Sequence, residues 1–130
     1  DGDGCFQMTC QELITATTEN IPIKIFVFNN GNHGMVRQWQ KIFYNSKFSA
    51  SELGHVVPDY VKLAESMGAV GLRMIKKSEV KNVFSEMLKI NDKPVLIDCV
   101  VDPEDMVFPM VPAGGSNDQI ILNEEDLKNL

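Results

Sequence analysis

Residues 1–30 read DGDGCFQMTCQELITATTENIPIKIFVFNN and contain the patterns that indicate the fold class. Apolar positions recur at helical spacing over residues 6–18, and asparagine and proline then supply stop signals. Residues 23–28 (IKIFVF) contain few polar side chains, which is typical of a central parallel strand covered on both faces. The stretch therefore predicts a helix followed by a strand, with polar loops before the helix and after the strand that meet at one edge of a sheet.

The rest of the chain continues this alternation of helices and strands. Asparagine and glycine dominate residues 29–34, which predicts a loop. The same reasoning predicts helices over residues 35–43, 58–67 and 78–88, strands over residues 70–74 and 95–101, an irregular tail over residues 102–121, and a short closing helix over residues 123–130. The order predicts an α/β fold, a three-layer domain with a mainly parallel sheet flanked by helices.

Composition limits the class of protein. The chain has 130 residues, 44% hydrophobic and 23% charged, as expected of one globular domain. The net charge is −6 and no lysine or arginine run occurs, so we expect no nucleic-acid partner. No apolar run approaches the roughly 20 residues of a membrane helix, so no membrane partner is expected.

The three cysteines indicate the cellular compartment of the protein. Cys5, Cys10 and Cys99 are odd in number and lack CxxC spacing, which argues against a disulfide framework or a zinc knuckle. A reducing, cytoplasmic compartment fits this pattern best.

Because the chain opens at Asp1 on a turn with no strand before it, we expect an N-terminally truncated fragment of a larger protein.

The opening turn admits several interpretations. A dinucleotide-binding fingerprint needs a third glycine where Gln7 stands, and no phosphate-binding P-loop motif occurs. A calcium-binding EF-hand loop would match at Asp3 and Glu12, but it needs glycine at the position of Phe6. Taken alone, the turn has a simple structural explanation, because glycine and aspartate are common turn residues.

A second polar pair favours a functional interpretation of that turn. Asn29 and Asn30 follow the next strand, which brings them to the same sheet edge as Asp3. Mg²⁺ prefers oxygen ligands, and the Asp3 carboxylate, the Asn30 amide oxygen and a loop carbonyl could supply them. A diphosphate would then meet the N-terminus of the helix expected near Phe6, where Gly4 lets the backbone approach closely.

This arrangement resembles the signature of thiamin diphosphate enzymes, in which GDG is followed by a helix, a strand and NN. Residues 34–40 (GMVRQWQ), with Phe43 and Tyr44 after them, narrow the resemblance to the large, catalytic subunit of acetolactate (acetohydroxyacid) synthase. Further matches are residues 6–9 (FQMT), 58–65 (PDYVKLAE), 94–98 (PVLID) and 109–112 (PMVP). Residues 1–130 are thus identified as a single C-terminal thiamin diphosphate-binding domain.

The resemblance implies roles for individual residues. Mg²⁺ would be held by Asp3, Asn30 and the backbone carbonyl of Asn32. Met35 and Trp39 would shape the pocket for the second substrate, where herbicides of that family also dock, although such a helical pair is also typical of a core. The full set of implied cofactor-binding residues is Gly2, Asp3, Gly4, Cys5, Asn30, Asn32, His33, Gly34 and Met35.

The resemblance also implies an activity and what this chain lacks. The family decarboxylates pyruvate and joins the remaining two carbons to a second 2-keto acid, pyruvate or 2-ketobutyrate, in branched-chain amino acid biosynthesis. The catalytic glutamate that activates the cofactor and most of the FAD site belong to other domains, so we expect no catalytic residue here and an inactive fragment. A homodimer or tetramer, a regulatory small subunit, and a cytoplasmic, plastid or mitochondrial location are further expectations.

Two alternatives remain open at this point. The first is another thiamin diphosphate enzyme of the same fold, such as a pyruvate oxidase, a glyoxylate carboligase or a 2-keto acid decarboxylase. The second is a noncatalytic binding or assembly module, whose loops bind nothing.

Overall fold

The computed structural model describes residues 1–54 and 56–129, the last two of these in backbone only. The helices are α1 (Asp3–Thr9), α2 (Glu12–Thr18), α3 (Gly34–Phe43), α4 (Tyr60–Ser66) and α5 (Val80–Met87). The strands are β1 (Lys24–Asn29), β2 (Val70–Met74) and β3 (Val95–Val100), and 3₁₀ helices span Lys77–Glu79, Asn117–Gln119 and Glu124–Asn129.

The three strands form a parallel sheet in the order β1-β3-β2. The prediction that residues 23–28 form a central strand is therefore wrong: β1 lies at an edge of this sheet, and β3 lies between its two neighbours. The outer edge of β1 contacts the first residues of the chain, where the Phe28 N–H donates to the Asp1 carbonyl at 2.7 Å. Five of the six β3 residues are buried, which is the burial expected of a central strand.

Helices cover both faces of the sheet, which confirms the predicted three-layer α/β architecture. On one face, Val27 and Leu96 pack against α1, α2 and α4; on the other, Ile97 packs against α5. The first core contains Phe6, Leu13, Val27, Tyr60, Ala64, Ala69 and Leu96, and the second contains Met87, Val95, Ile97 and Cys99.

The helix predicted over residues 6–18 differs from the observed structure in two ways. It begins earlier, at Asp3, because extended Gly2 acts as its N-cap and the Phe6 N–H donates to the Gly2 carbonyl at 2.9 Å. It is also interrupted, since the Leu13 N–H donates to the Cys10 carbonyl three residues back rather than four. The tight turn between α1 and α2 still allows Phe6 and Leu13 to reach the same core.

The remaining elements follow the predictions with shifts at their ends. Helix α4 begins at Tyr60 rather than Pro58, because the Asp59 side chain caps it by accepting from the Lys62 N–H at 3.4 Å. The tail is irregular except for a short 3₁₀ helix, and the closing helix is 3₁₀, with Leu130 outside the described residues. None of the described helices combines the length and apolar character needed to cross a membrane.

Candidate functional site

A cleft of about 360 Å³ opens beyond the carboxyl end of β1, between the start of α1 and the loop that leads into α3. Phe28 and Val36, which the sequence did not single out, contribute to its wall. Their only sequence signal is position, since one closes the apolar run of β1 and the other lies in the first turn of α3. The lining consists of Gly2, Asp3, Gly4, Cys5, Phe28, Asn30, Asn32, His33, Gly34, Met35 and Val36, which includes all nine predicted cofactor-binding residues.

Asp3 is a buried carboxylate on the first turn of α1, with 1% of its surface exposed. Its Oδ2 accepts a hydrogen bond from the Gly31 N–H at 2.8 Å. Within the described side chains, no lysine or arginine forms an ion pair with it. Burial raises the pKa of the Asp3 carboxyl, while the N–H groups around it, first that of Gly31, act in the opposite direction. A bound cation would stabilise the ionised carboxylate and so offset the free-energy cost of its desolvation.

The two asparagines after β1 have different surroundings. The Asn30 Oδ1 accepts from the Asn32 N–H at 3.0 Å, and the Asn32 Nδ2 donates to the Asn30 carbonyl at 2.7 Å, so the loop folds back on itself at the cleft. Asn29 points elsewhere, and its Nδ2 donates to the Asp98 Oδ1 at 3.0 Å. Asn30 therefore lines the cleft, whereas the Asn29 side chain links β1 to β3 by a hydrogen bond.

Gly34 is required by the position of the Asn30 side chain. A Cβ at residue 34 would lie 2.8 Å from the Asn30 Nδ2, which is shorter than any ordinary contact. The absence of that atom lets the amide lie over the start of α3. The glycine thus leaves room for the amide of Asn30, which would have to move if residue 34 carried a Cβ.

The oxygen atoms at the cleft fit a magnesium ion. The site offers the Asp3 carboxylate, the Asn30 amide oxygen, which has a second lone pair, and backbone carbonyls such as that of Asn32. No group of three or more His, Cys, Asp or Glu side chains suited to a metal occurs in the described part of the chain. A closed zinc-type centre is therefore not formed by these side chains, and Mg²⁺ would rely on phosphate and water oxygens to complete its shell.

His33 lines the cleft and is held in place by the loop that follows α3. The imidazole packs on the Gly4 backbone, where an added Cβ would lie 2.8 Å from its Cε1 and Nδ1. The His33 N–H donates to the Ser51 carbonyl at 2.7 Å, and the Leu53 N–H donates to the Gly31 carbonyl at 3.0 Å. Backbone bonds thus hold this loop against the residues that precede α3.

The structure separates the two predicted substrate-pocket residues. Met35 lines the cleft and is 59% exposed. Trp39 lies one turn further along α3, beyond the lining of the cleft, and its ring packs on Phe43 with centroids 4.8 Å apart. The assignment of Met35 and Trp39 to a substrate pocket stays a prediction.

Comparisons with known proteins show extensive similarity. Residues 1–99 match the family described as "Thiamine pyrophosphate enzyme, C-terminal TPP binding domain". The acetolactate synthase of Mycobacterium avium is 54% identical over 123 residues, which are 92% of this chain and 20% of the relative. The large subunit from Corynebacterium glutamicum is 51% identical over the same shares.

A solved structure supports the same relationship. The thiamine diphosphate-dependent 4-hydroxybenzoylformate decarboxylase of Rhodococcus jostii RHA1 matches with a TM-score of 0.70 and 27% identity, over 81% of this chain and 19% of that one. The chain spans about a fifth of the length of the curated relatives it matches. These matches confirm the resemblance found in the sequence, and the chain belongs to the thiamine pyrophosphate enzyme family as a C-terminal TPP-binding domain.

Proposed function

We propose that this chain is the C-terminal thiamin diphosphate-binding domain of an acetolactate synthase large subunit. The complete enzyme would decarboxylate pyruvate and join the remaining two carbons to pyruvate or 2-ketobutyrate. The observation that carries the proposal is the buried Asp3 carboxylate, which lacks a basic partner among the described residues and accepts a hydrogen bond from the loop that contains Asn30. Identity of 51–54% to several acetolactate synthases favours this enzyme over other members of the family.

The residues at the cleft would bind and orient the cofactor. Asp3, the Asn30 amide oxygen and the Asn32 carbonyl would hold Mg²⁺, and the backbone at Gly4 and Cys5 would approach the diphosphate. The cofactor, when bound, supplies the electron sink for decarboxylation. No residue of this chain is assigned to proton transfer, because the activating glutamate would come from another domain, as would most contacts to FAD. A homodimer or tetramer and a regulatory subunit complete the proposal.

Cofactor binding is tested by thermal unfolding of the enzyme that contains this domain. A ligand at 100 times its dissociation constant stabilises the native state by about 2.7 kcal/mol, so Mg²⁺ with thiamin diphosphate should raise the melting temperature. Mg²⁺ with thiamin that lacks the diphosphate is the control, and it should leave the melting temperature unchanged. Equal melting temperatures in both samples would favour the noncatalytic binding module instead.

Product analysis distinguishes the possible activities. With pyruvate we expect acetolactate, whereas a decarboxylase would release acetaldehyde and a phosphate-dependent pyruvate oxidase would form acetyl phosphate. The isolated 130-residue chain should form no acetolactate, because we place the activating glutamate in another domain. Acetolactate made by the isolated chain would overturn that division of roles.

Replacement of Trp39 by leucine tests the proposed substrate pocket. We expect Trp39→Leu to change the ratio of products formed from pyruvate and 2-ketobutyrate by about tenfold, since a large aromatic wall is removed. Cofactor affinity should stay within about twofold, because the indole lies outside the cleft lining. The matched control is Phe43→Leu, which removes the ring packed against Trp39 but keeps the indole itself. Identical product ratios in Trp39→Leu and the parent enzyme would contradict the pocket assignment.

A further inference from the structure

Helix α3 buries a polar side chain rather than an apolar one. All residues of α3 are described, and the buried one among them is Gln38, which is 4% exposed. A buried glutamine needs partners for both ends of its amide. Here the Nε2 donates to the Val107 carbonyl at 3.0 Å and the Oε1 accepts from the Val107 N–H at 2.8 Å. This pair of bonds, called the Gln38 clamp below, joins α3 to the C-terminal tail.

Charged contacts align the same stretch of tail along α3. The Glu104 carboxylate forms ion pairs with Arg37 and with Lys41, the second at 3.3 Å. These groups are partly exposed, so solvent and salt weaken each pair. The Gln38 clamp is expected to be the stronger anchor, because Gln38 is only 4% exposed and its amide loses both backbone partners when the clamp breaks.

The loop after α3 holds the other side of the helix. The Arg37 guanidinium lies over the Phe48 ring at 4.0 Å from its centroid and also reaches Glu52 at 3.4 Å. Helix α3 is thus held between this loop and the tail, by polar groups on both sides. A helix packed through a broad apolar face is oriented by that face. Helix α3 buries no such face, so its orientation depends more strongly on its contacts with the tail.

We propose that Gln38 is a positioning residue for the second 2-keto acid, an inference that rests on the proposed function. The clamp on Val107 sets the rotation of α3 about its own axis, and that rotation decides where Met35 and Trp39 stand. Gln38 itself touches neither the cofactor nor the substrate. The C-terminal tail would thereby govern the choice of acceptor while the diphosphate end of the cleft stays unchanged.

The test is Gln38→Leu in the complete enzyme, which removes both amide bonds at similar side-chain volume. We expect the KM for the acceptor keto acid to rise by about tenfold and the product ratio to shift, because leucine forms neither hydrogen bond to Val107 and no longer fixes the rotation of α3. The kcat at saturating acceptor and the dissociation constant of Mg²⁺-thiamin diphosphate should stay within about twofold. A purely structural role would instead impair acceptor binding, cofactor binding and kcat together.

A matched control lies two residues away. The Gln40 Nε2 donates to the Ser49 carbonyl at 2.8 Å and its Oε1 accepts from the Ser49 N–H at 3.2 Å, so it forms the same type of clamp to a nearby exposed loop. Gln40→Leu should leave the product ratio within about twofold of the parent. If Gln38→Leu does not fold, Gln38→Glu keeps the bond from the Val107 N–H and loses the bond to its carbonyl, and it should raise the acceptor KM in the same direction.

Two results separate failure of this inference from failure of the proposed function. A parent enzyme that makes no acetolactate overturns the proposed function. A parent enzyme that makes acetolactate, with an unchanged acceptor KM and product ratio in the folded Gln38 variant, overturns the positioning role alone. The positioning role is also overturned if cofactor affinity and kcat fall in parallel with the affinity for the acceptor.

Discussion

Asp3→Asn is expected to weaken Mg²⁺-dependent binding of thiamin diphosphate by about 100-fold or more, because a buried metal-ligand charge is lost. Asparagine keeps an oxygen that can accept from the Gly31 N–H, so the local hydrogen bond survives while the charge does not. Isothermal titration calorimetry on the complete enzyme, with saturating Mg²⁺, measures the effect.

Stability without cofactor should change in the opposite direction. Burial raises the pKa of the Asp3 carboxyl, which means that the fold disfavours its ionised form. Neutral asparagine removes this penalty, so the melting temperature of the cofactor-free variant should equal or exceed that of the parent. The control is Asp1→Asn, which alters an exposed carboxylate two residues away. Equal cofactor affinity in Asp3→Asn and the parent would refute the ligand assignment.

Gly71→Ala is expected to destabilise the domain by about 2 kcal/mol or more through overpacking. A Cβ at residue 71 would lie 2.6 Å from the carbonyl oxygen of Val61 and 2.7 Å from its Cα. Because these are backbone atoms, no side-chain rotation relieves the contact, and α4 must move away from β2. Tyr60 on α4 donates from its hydroxyl to the Asp3 carbonyl at 3.3 Å, so the displacement would reach the cleft.

Urea unfolding measures this effect through the midpoint of the transition. Gly2→Ala is the control for stability, since a Cβ there meets no atom within 4 Å and the backbone is extended. Because alanine is a poorer N-cap than glycine, we expect its midpoint to fall slightly, by less than that of Gly71→Ala. A Gly71→Ala midpoint equal to that of the parent would show that α4 and β2 can separate at no cost, contrary to the tight contact at Val61.

The sequence predicted those features that short-range patterns encode. Helical spacing and the alternation of elements predicted the layers, and the position of Asp3 and Asn30 after a turn and a strand predicted that they would meet. The order of the strands was not predictable in this way. Residues 23–28 are apolar enough for a central strand, yet β3 takes that place, because strand order depends on pairing between distant segments.

Polar contacts between residues far apart in the chain could not be predicted from the sequence either. Gln38 looks like an ordinary surface residue of a helix, and Val107 lies in a tail with no regular pattern, so neither residue signals the other. The separate role of Asn29 was hidden for the same reason, since its partner Asp98 belongs to a strand far along the chain. The contact of Trp39 with Phe43 is likewise one that helical spacing allows but does not specify.

The polar contacts of Asp98 have a consequence for how the sheet assembles. Its carboxylate accepts from Asn29 on β1 and from the Arg73 Nε on β2 at 2.8 Å, and Arg73 also reaches Asp59 at 2.6 Å. A shift of β3 by one residue would turn this carboxylate to the apolar face that packs on α5. A misaligned sheet would then bury an unpaired charge, so Asp98 favours the native alignment of the strands during folding. That alignment also sets the position of Asn30, which directly follows β1, relative to the end of β3.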